Sequence, residues 1–333
     1  MLSIGKLSLS IPCILAPISG VSDLPFRMLN RSFGAPCAFT EMIDVKAIRS
    51  LDKRTQHMLS TNADDRPLGV QLLAGDSKDI RDALKTLENY EYDLLDLNAA
   101  CPTPKVVRKG KGAWLLRDPH TLKEILEVMV HYAKTPVTVK IRSGWDSDSV
   151  NAREIALHAE DAGISALFIH GRTKVQGYSG TVDYETIKTV KDAVKIPVIA
   201  SGDNVNVHHV KKMFDRTGCD GVAIARGSFG NPWIFSNLIQ FFQNGSIGDM
   251  PPVNVRVEVM KYHLNLLNQH YGERRALSIF HKFFIWYTKG IGKTRALRDK
   301  AFRIETIEDI TALIEEFHDL DNRQELRSVI ERN

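Results

Sequence analysis

One cysteine and one lysine stand out among the side chains able to do chemistry. Cys101 sits in Asn98-Ala99-Ala100-Cys101-Pro102, a polar turn directly after an apolar run. A thiol of ordinary acidity is mostly protonated at neutral pH, so it can act as a proton donor. Lys140 lies between Val139 and Ile141, and an ammonium on so apolar a stretch must find a negative partner or lose its charge. Other polar groups follow apolar runs: Pro17-Ile18-Ser19-Gly20, Glu41, Gln71, His170-Gly171-Arg172-Thr173, Ser201-Gly202-Asp203-Asn204 and Ala225-Arg226-Gly227. The last two turns combine glycine with Asp203 and Arg226, a setting in which backbone N–H groups and a guanidinium meet an anion. Such a set describes a phosphate-bearing cofactor with a hydrogen-bonding ring system. Cys13, Cys37 and Cys219 lie in apolar or glycine-rich surroundings with no CxxC or zinc spacing, so neither a disulfide scaffold nor a metal site is expected.

The elements that must position these groups are legible in the apolar pattern. Short runs recur at Cys13–Ala16, Ala38–Glu41, Gly69–Leu73, Asp93–Leu97, Val137–Ile141, Ala166–Ile169, Pro197–Ala200 and Gly221–Ala225. Each is too short for a helix and too continuously apolar for a strand wetted on one face, which fits parallel strands buried on both sides. Between them, Asp79–Leu87, Thr121–Ala133, Arg153–Ala162, Tyr184–Val194 and Val205–Phe214 place apolar residues at helical spacing. Asp118-Pro119 is an N-cap followed by a first-turn proline. Eight such units fit an α/β chain folded as a (β/α)8 TIM barrel. A doubly wound sheet lacks support because no glycine-rich dinucleotide turn follows the first strand. In a barrel the active site lies at the C-terminal mouth, where the groups above fall. Asn244–Pro252 reads as a linker, and Val255–Tyr271, Arg274–Lys289, Thr294–Phe302 and Ile307–Leu320 as helices of a C-terminal appendage. The expected domains are 1–244 and 251–333.

With 333 residues, 43% hydrophobic and 25% charged, the chain has ample material for a barrel-sized core. No uninterrupted apolar run of about 18 residues is present to span a membrane. Lys6 is the one early cation, and Pro12 and Pro17 break any signal-peptide helix, so a cytoplasmic protein is expected. Between Pro251 and Arg303, eleven basic side chains, Arg274, Arg275 and Lys282 among them, face only Glu258, Glu273 and Asp299. That excess fits a polyanion-binding face, although a solvated helix surface would carry the same charges.

The motifs APISGVSDLPFR (16–27), TEM (40–42), GVQLLAGD (69–76), DLNAACPTPKV (96–106), VKIRSGW (139–145), IHGRT (169–173), PVIASGD (197–203) and ARGSFGNPWIF (225–235) together resemble the tRNA-dihydrouridine synthases, most closely their bacterial B-type branch. The resemblance implies an FMN-dependent enzyme that reduces the C5–C6 bond of uridine in tRNA, with NADPH or NADH as reductant. It places FMN contacts on Pro17, Ile18, Ser19, Gln71, Lys140, His170, Ser201, Gly202, Asp203, Ala225 and Arg226, and the catalytic cysteine on Cys101. A cation such as Lys140 suits the edge of a reduced flavin, and Cys101 suits protonation at C5. Asn98 is expected to hydrogen-bond the uracil edge. Lys105, Arg108, Lys109 and Lys111 read as a flexible basic loop for RNA phosphates, and the helical domain with Arg274 and Arg275 as a second tRNA-binding surface. The target base must be unstacked to reach the cofactor.

The sequence departs from the family pattern at Ala100, where glycine is usual, at Ser201, where asparagine is usual, and at the bulky Trp114. Two other readings stay open: an FMN oxidoreductase of a free pyrimidine, and a non-catalytic RNA-binding barrel. Gly290-Ile-Gly292-Lys293-Thr294 has the end of a P-loop but no preceding strand, and His208-His209 has no third metal ligand nearby.

Overall fold

A computed structural model describes the backbone of residues 1–330 and the side chains of residues 1–319. Two short strands, β1 (Leu2–Ile4) and β2 (Leu7–Leu9), open the chain as an antiparallel hairpin. Eight strands then form a closed parallel barrel: β3 (Cys13–Leu15), β4 (Ala38–Asp44), β5 (Leu68–Leu73), β6 (Leu94–Asn98), β7 (Val137–Arg142), β8 (Ala166–His170), β9 (Val198–Ser201) and β10 (Gly221–Ile224). They are hydrogen-bonded in sequence order, and β10 pairs with β3 to close the ring. All eight coincide with the apolar runs, shifted at their ends by a few residues.

Residues of one strand alternate between the surrounding helices and the barrel interior. The floor of the interior is apolar: Ile14, Phe39, Leu94, Phe168, Ile199 and Ala223 pack with Leu2, Ile4 and Leu9 of the hairpin. Phe39 and Phe168 meet edge to face at 5.5 Å. A Cβ on residue 69 would lie 2.1 Å from the Phe39 ring, so Gly69 is what lets that ring fill the floor. Two and four residues further along the same strands the interior turns polar, with Gln71, Asp96, Asn98, Thr138, Lys140, His170 and Ser201. The period of two that buries the floor therefore aims these groups at the mouth.

The helices begin as their sequences dictate. The Asp118 carboxylate accepts the Thr121 N–H ahead of the helix Pro119–Tyr132, and Gly218 ends Val207–Thr217 in the left-handed region. The sequence reading did not single out the hairpin, the helix Leu24–Ser32 after β3, or the short helices Val45–Ser50 and Lys53–Leu59. The basic loop expected to be flexible has local structure, with Lys105, Arg108 and Lys109 exposed. Pro104–Val107 is a helical turn, Gly112–Arg117 a 3-10 turn, and Lys111 is buried with its ammonium 2.8 Å from both Asp44 oxygens.

The chain divides into two compact units. One comprises Met1–Gly227 and Ile234–Gly245; the other takes Ser228–Trp233 and the chain from Ser246 onward. The second unit is helical: Val253–Tyr271, Glu273–Tyr287, Arg295–Ala301 and Ile307–Ile330. Its core joins Met260, Leu264, Phe280, Phe284, Ile314 and Phe317. The last helix runs past the expected end at residue 320, and residues 331–333 of the expected second domain lie outside the described residues. Among the described residues no helix is long and apolar enough to cross a membrane.

Candidate active site

The barrel mouth gathers the groups expected from the sequence. Cys101 is partly exposed, and its thiol donates to the Thr103 hydroxyl at 3.3 Å. The other three cysteines are buried. The Cys101 turn is held from two sides. Asn98 Oδ1 accepts the N–H groups of Ala100 (3.0 Å) and Cys101 (2.8 Å), while Arg142 Nε donates to the Ala100 carbonyl at 2.7 Å. Ala113 N–H closes the far end of the turn onto the Cys101 carbonyl at 3.0 Å.

The Asn98 amide, expected to face the uracil edge, is hydrogen-bonded within the protein. Besides the two turn N–H groups, its Nδ2 donates to Gln71 Oε1 at 2.7 Å and lies 3.7 Å from Met42 Sδ. Gln71 Nε2 in turn donates to Asp96 Oδ2 at 2.7 Å, and Thr138 Oγ1 to Asp96 Oδ1 at 2.6 Å. Burial pushes the Asp96 carboxyl up to about 6, against the pull of Thr138, Gln71 and Lys140. Asp96 escaped the sequence reading; the signal was its register, two residues from Leu94 and Asn98 on the inward face.

Lys140 points into the mouth with Ser201 Oγ 3.4 Å from its amine. Burial draws its pKa down to about 8, with Arg142 acting the same way and Asp96 and Cys101 opposing. His170 is kept neutral by burial and by Lys140, Arg142, Arg172 and Arg226 around it. Its Nε2 is buried without a hydrogen-bond partner. Ser201 Oγ donates to the Ile169 carbonyl at 3.1 Å. The turn that follows carries two residues at positive φ, Gly202 (119°) and Asp203 (55°). A Cβ at Gly202 would fall 2.8 Å from Val182 and 3.2 Å from the His170 ring. Asp203 is clamped by Arg172 and, at 2.9 Å, by the half-exposed Arg226. Ala225 packs against the barrel core beside that arginine. Across the mouth, Pro17, Ile18 and Ser19 lie in a turn in which Ile18 N–H donates to Ser22 Oγ at 2.9 Å and Gly20 N–H to the Glu41 carboxylate.

These residues suit a flavin mononucleotide. An orphaned imidazole nitrogen and an ammonium with one weak contact call for polar ligand atoms at the mouth. A glycine turn beside two arginines gives a close approach for an anion. Tyr178, 62% exposed, lies against this edge between the Arg142 and Arg226 guanidinium groups, 5.6 and 5.2 Å from its ring centre. Lys105 and Arg108 project outward from the turn after Cys101. In the helical unit Arg274 and Arg275 are exposed, Arg275 lying 4.4 Å over the Tyr271 ring. Among the described residues no group of three or more side chains is placed to hold a metal.

Residues 14–323 match the dihydrouridine synthase (Dus) family. The chain belongs to that family. Among Dus relatives, a probable tRNA-dihydrouridine synthase of Rickettsia bellii (strain RML369-C) is 38% identical over 299 residues, covering 90% of this chain and 92% of that protein. A tRNA-dihydrouridine synthase B of Pseudomonas aeruginosa PAO1 is 36% identical over 316 residues, covering 94% and 95%. One from Xanthomonas axonopodis pv. citri (strain 306) is 33% identical, covering 96% of both chains. The Dus match runs through the barrel from Ile14 onward and includes the turn that bears Cys101.

Proposed function

We propose that this protein is a tRNA-dihydrouridine synthase that reduces the C5–C6 double bond of uridines in tRNA. The observation that carries the reading is the partly exposed Cys101 thiol on a pinned turn at the same barrel mouth as Lys140 and the unpartnered His170 nitrogen. Together with the names of relatives that match nearly end to end, this favours reduction of a base over the non-catalytic alternative.

FMN bound at the mouth would supply hydride chemistry, with NADPH or NADH as the reductant. Lys140, His170, Gln71, Pro17, Ile18 and Ser19 would hold its ring system. Ser201, Gly202, Asp203, Ala225 and Arg226 would hold its phosphate. Cys101 delivers a proton to C5 of the uracil as C6 is reduced, and the thiolate left behind regains its proton from water. The Thr103 hydroxyl, within reach of the sulfur, can turn to donate to that thiolate. Asn98 keeps the turn facing the base. Lys105 and Arg108 engage RNA phosphates beside the site, and the helical unit, through Arg274 and Arg275, supplies a second tRNA-binding surface. The barrel unit is thus the catalytic domain and the helical unit the RNA-binding one.

Purified protein should be yellow and should form dihydrouridine in unmodified tRNA but not from free uracil. Cys101→Ala should keep the flavin and lose tRNA reduction; full activity in that variant would overturn the acid assignment. Turnover of free uracil at the rate of tRNA would favour the small-substrate enzyme instead.

A further inference from the structure

We infer that Asp96 is a positioning residue: through a directional chain of hydrogen bonds it fixes the turn that carries Cys101. This rests on the functional reading only in giving Cys101 a task; the chain itself is a property of the barrel. Asp96 is 1% exposed, and its two oxygens accept from Gln71 and Thr138. As an acceptor it forces both neighbours to donate. Gln71 must therefore turn its NH2 to Asp96, which leaves Oε1 toward Asn98. Asn98 must then donate to Gln71, which leaves Oδ1 to receive the Ala100 and Cys101 N–H groups.

The two amides have nearly the same shape either way round. The Asp96 carboxylate at one end and the two N–H groups at the other remove that ambiguity. Reversing one amide sets donor against donor or acceptor against acceptor at a buried contact. The turn would then lose the oxygen that holds the Cys101 N–H.

The idea predicts a specific pattern of rescue. Asp96→Asn keeps the chain, since its oxygen can accept from Gln71 while its NH2 donates to Thr138. Asp96→Leu breaks it. Asn98→Asp, an acceptor only, demands that Gln71 reverse, which the Asp96 carboxylate forbids. In the double variant Asn98→Asp with Asp96→Asn, the chain closes again with its direction inverted. Asp96→Leu removes the same negative charge but cannot donate to the reversed Gln71.

The test is the rate of Cys101 alkylation by iodoacetamide in the full-length holoenzyme. It needs no tRNA, so any loss of base contact at Asn98 does not enter. Asp96→Leu and Asn98→Asp should each move the rate at least fivefold. Asp96→Asn alone, and Asn98→Asp with Asp96→Asn, should return it to within threefold of wild type. Rescue of Asn98→Asp by Asp96→Leu as well as by Asp96→Asn would overturn the inference, because relief of charge would then suffice. So would a rate in Asp96→Asn as altered as in Asp96→Leu. Circular dichroism checks folding, and Asp96→Ala repeats the break if the leucine variant does not fold. Dihydrouridine formation by the wild type, measured in parallel, reports on the functional reading separately: its absence would leave the alkylation pattern standing.

Discussion

Replacing Asp96 with asparagine should make the barrel more stable at neutral pH, a gain that comes from the site itself. The carboxyl is fully buried, and its pKa rises from an ordinary 3.8 to about 6. Between those two values the folded chain holds a proton that the unfolded chain has released. Stability therefore falls as pH rises through that window, and above about pH 6 the loss is complete. The shift corresponds to about 3 kcal/mol. Asparagine keeps the shape and both hydrogen bonds but gives up the attraction to Lys140, whose own pKa, already down to about 8, would fall further. The net gain expected at pH 7 is thus about 1–3 kcal/mol. Urea unfolding of both proteins at pH 4, 5, 6 and 7 measures it. The curves should nearly coincide at pH 4, separate steadily to about pH 6 and keep that separation at pH 7. A variant no more stable than wild type at pH 7, or a difference that does not grow between pH 4 and 6, would refute this account of the buried charge.

Three further outcomes are expected. His263, wholly buried against Tyr287 in the helical unit, is pushed down to about 3, so the folded unit keeps it neutral while the unfolded chain takes a proton below about pH 6.5. Stability should fall by about 2 kcal/mol between pH 7 and 5 from this group alone, and His263→Gln should flatten that part of the thermal-denaturation profile. Arg142→Met would strip donors from the carbonyls of Ala100, Thr173 and Gly177 at once. It should destabilise the barrel by about 3–5 kcal/mol in urea, since buried acceptors are left unpaired. Arg274→Ala with Arg275→Ala should weaken tRNA binding and reduce the slope of log K against log salt by about two; an unchanged slope would show that these guanidinium groups face no phosphate.

Much of the fold could be read from local pattern because parallel barrel strands are buried on both faces. Runs such as Val137–Ile141 and Ala166–Ile169 have no other comfortable home. The hairpin was missed for the opposite reason: three-residue strands flanking Gly5-Lys6 carry too few alternations to differ from a loop. Asp93 and Asp96 illustrate the limit at the site. Both belong to the same apolar run, yet Asp93 pairs with Arg66 at the surface whereas Asp96 lies inside. Three residues of spacing put them on opposite faces, and only strand register tells which is which. Lys111 makes the same point, since its partner Asp44 is 67 residues away and nothing local marks the pair. The catalytic candidates, by contrast, were legible because barrel chemistry collects at strand ends.

The hairpin has one more consequence. Leu2, Ile4 and Leu9 form the stopper beneath Ile14, Phe39, Phe168 and Ile199, while Met1 stands 94% exposed. Residues 2–9 are thus part of the barrel's own packing, and cutting them away would uncork the barrel from below.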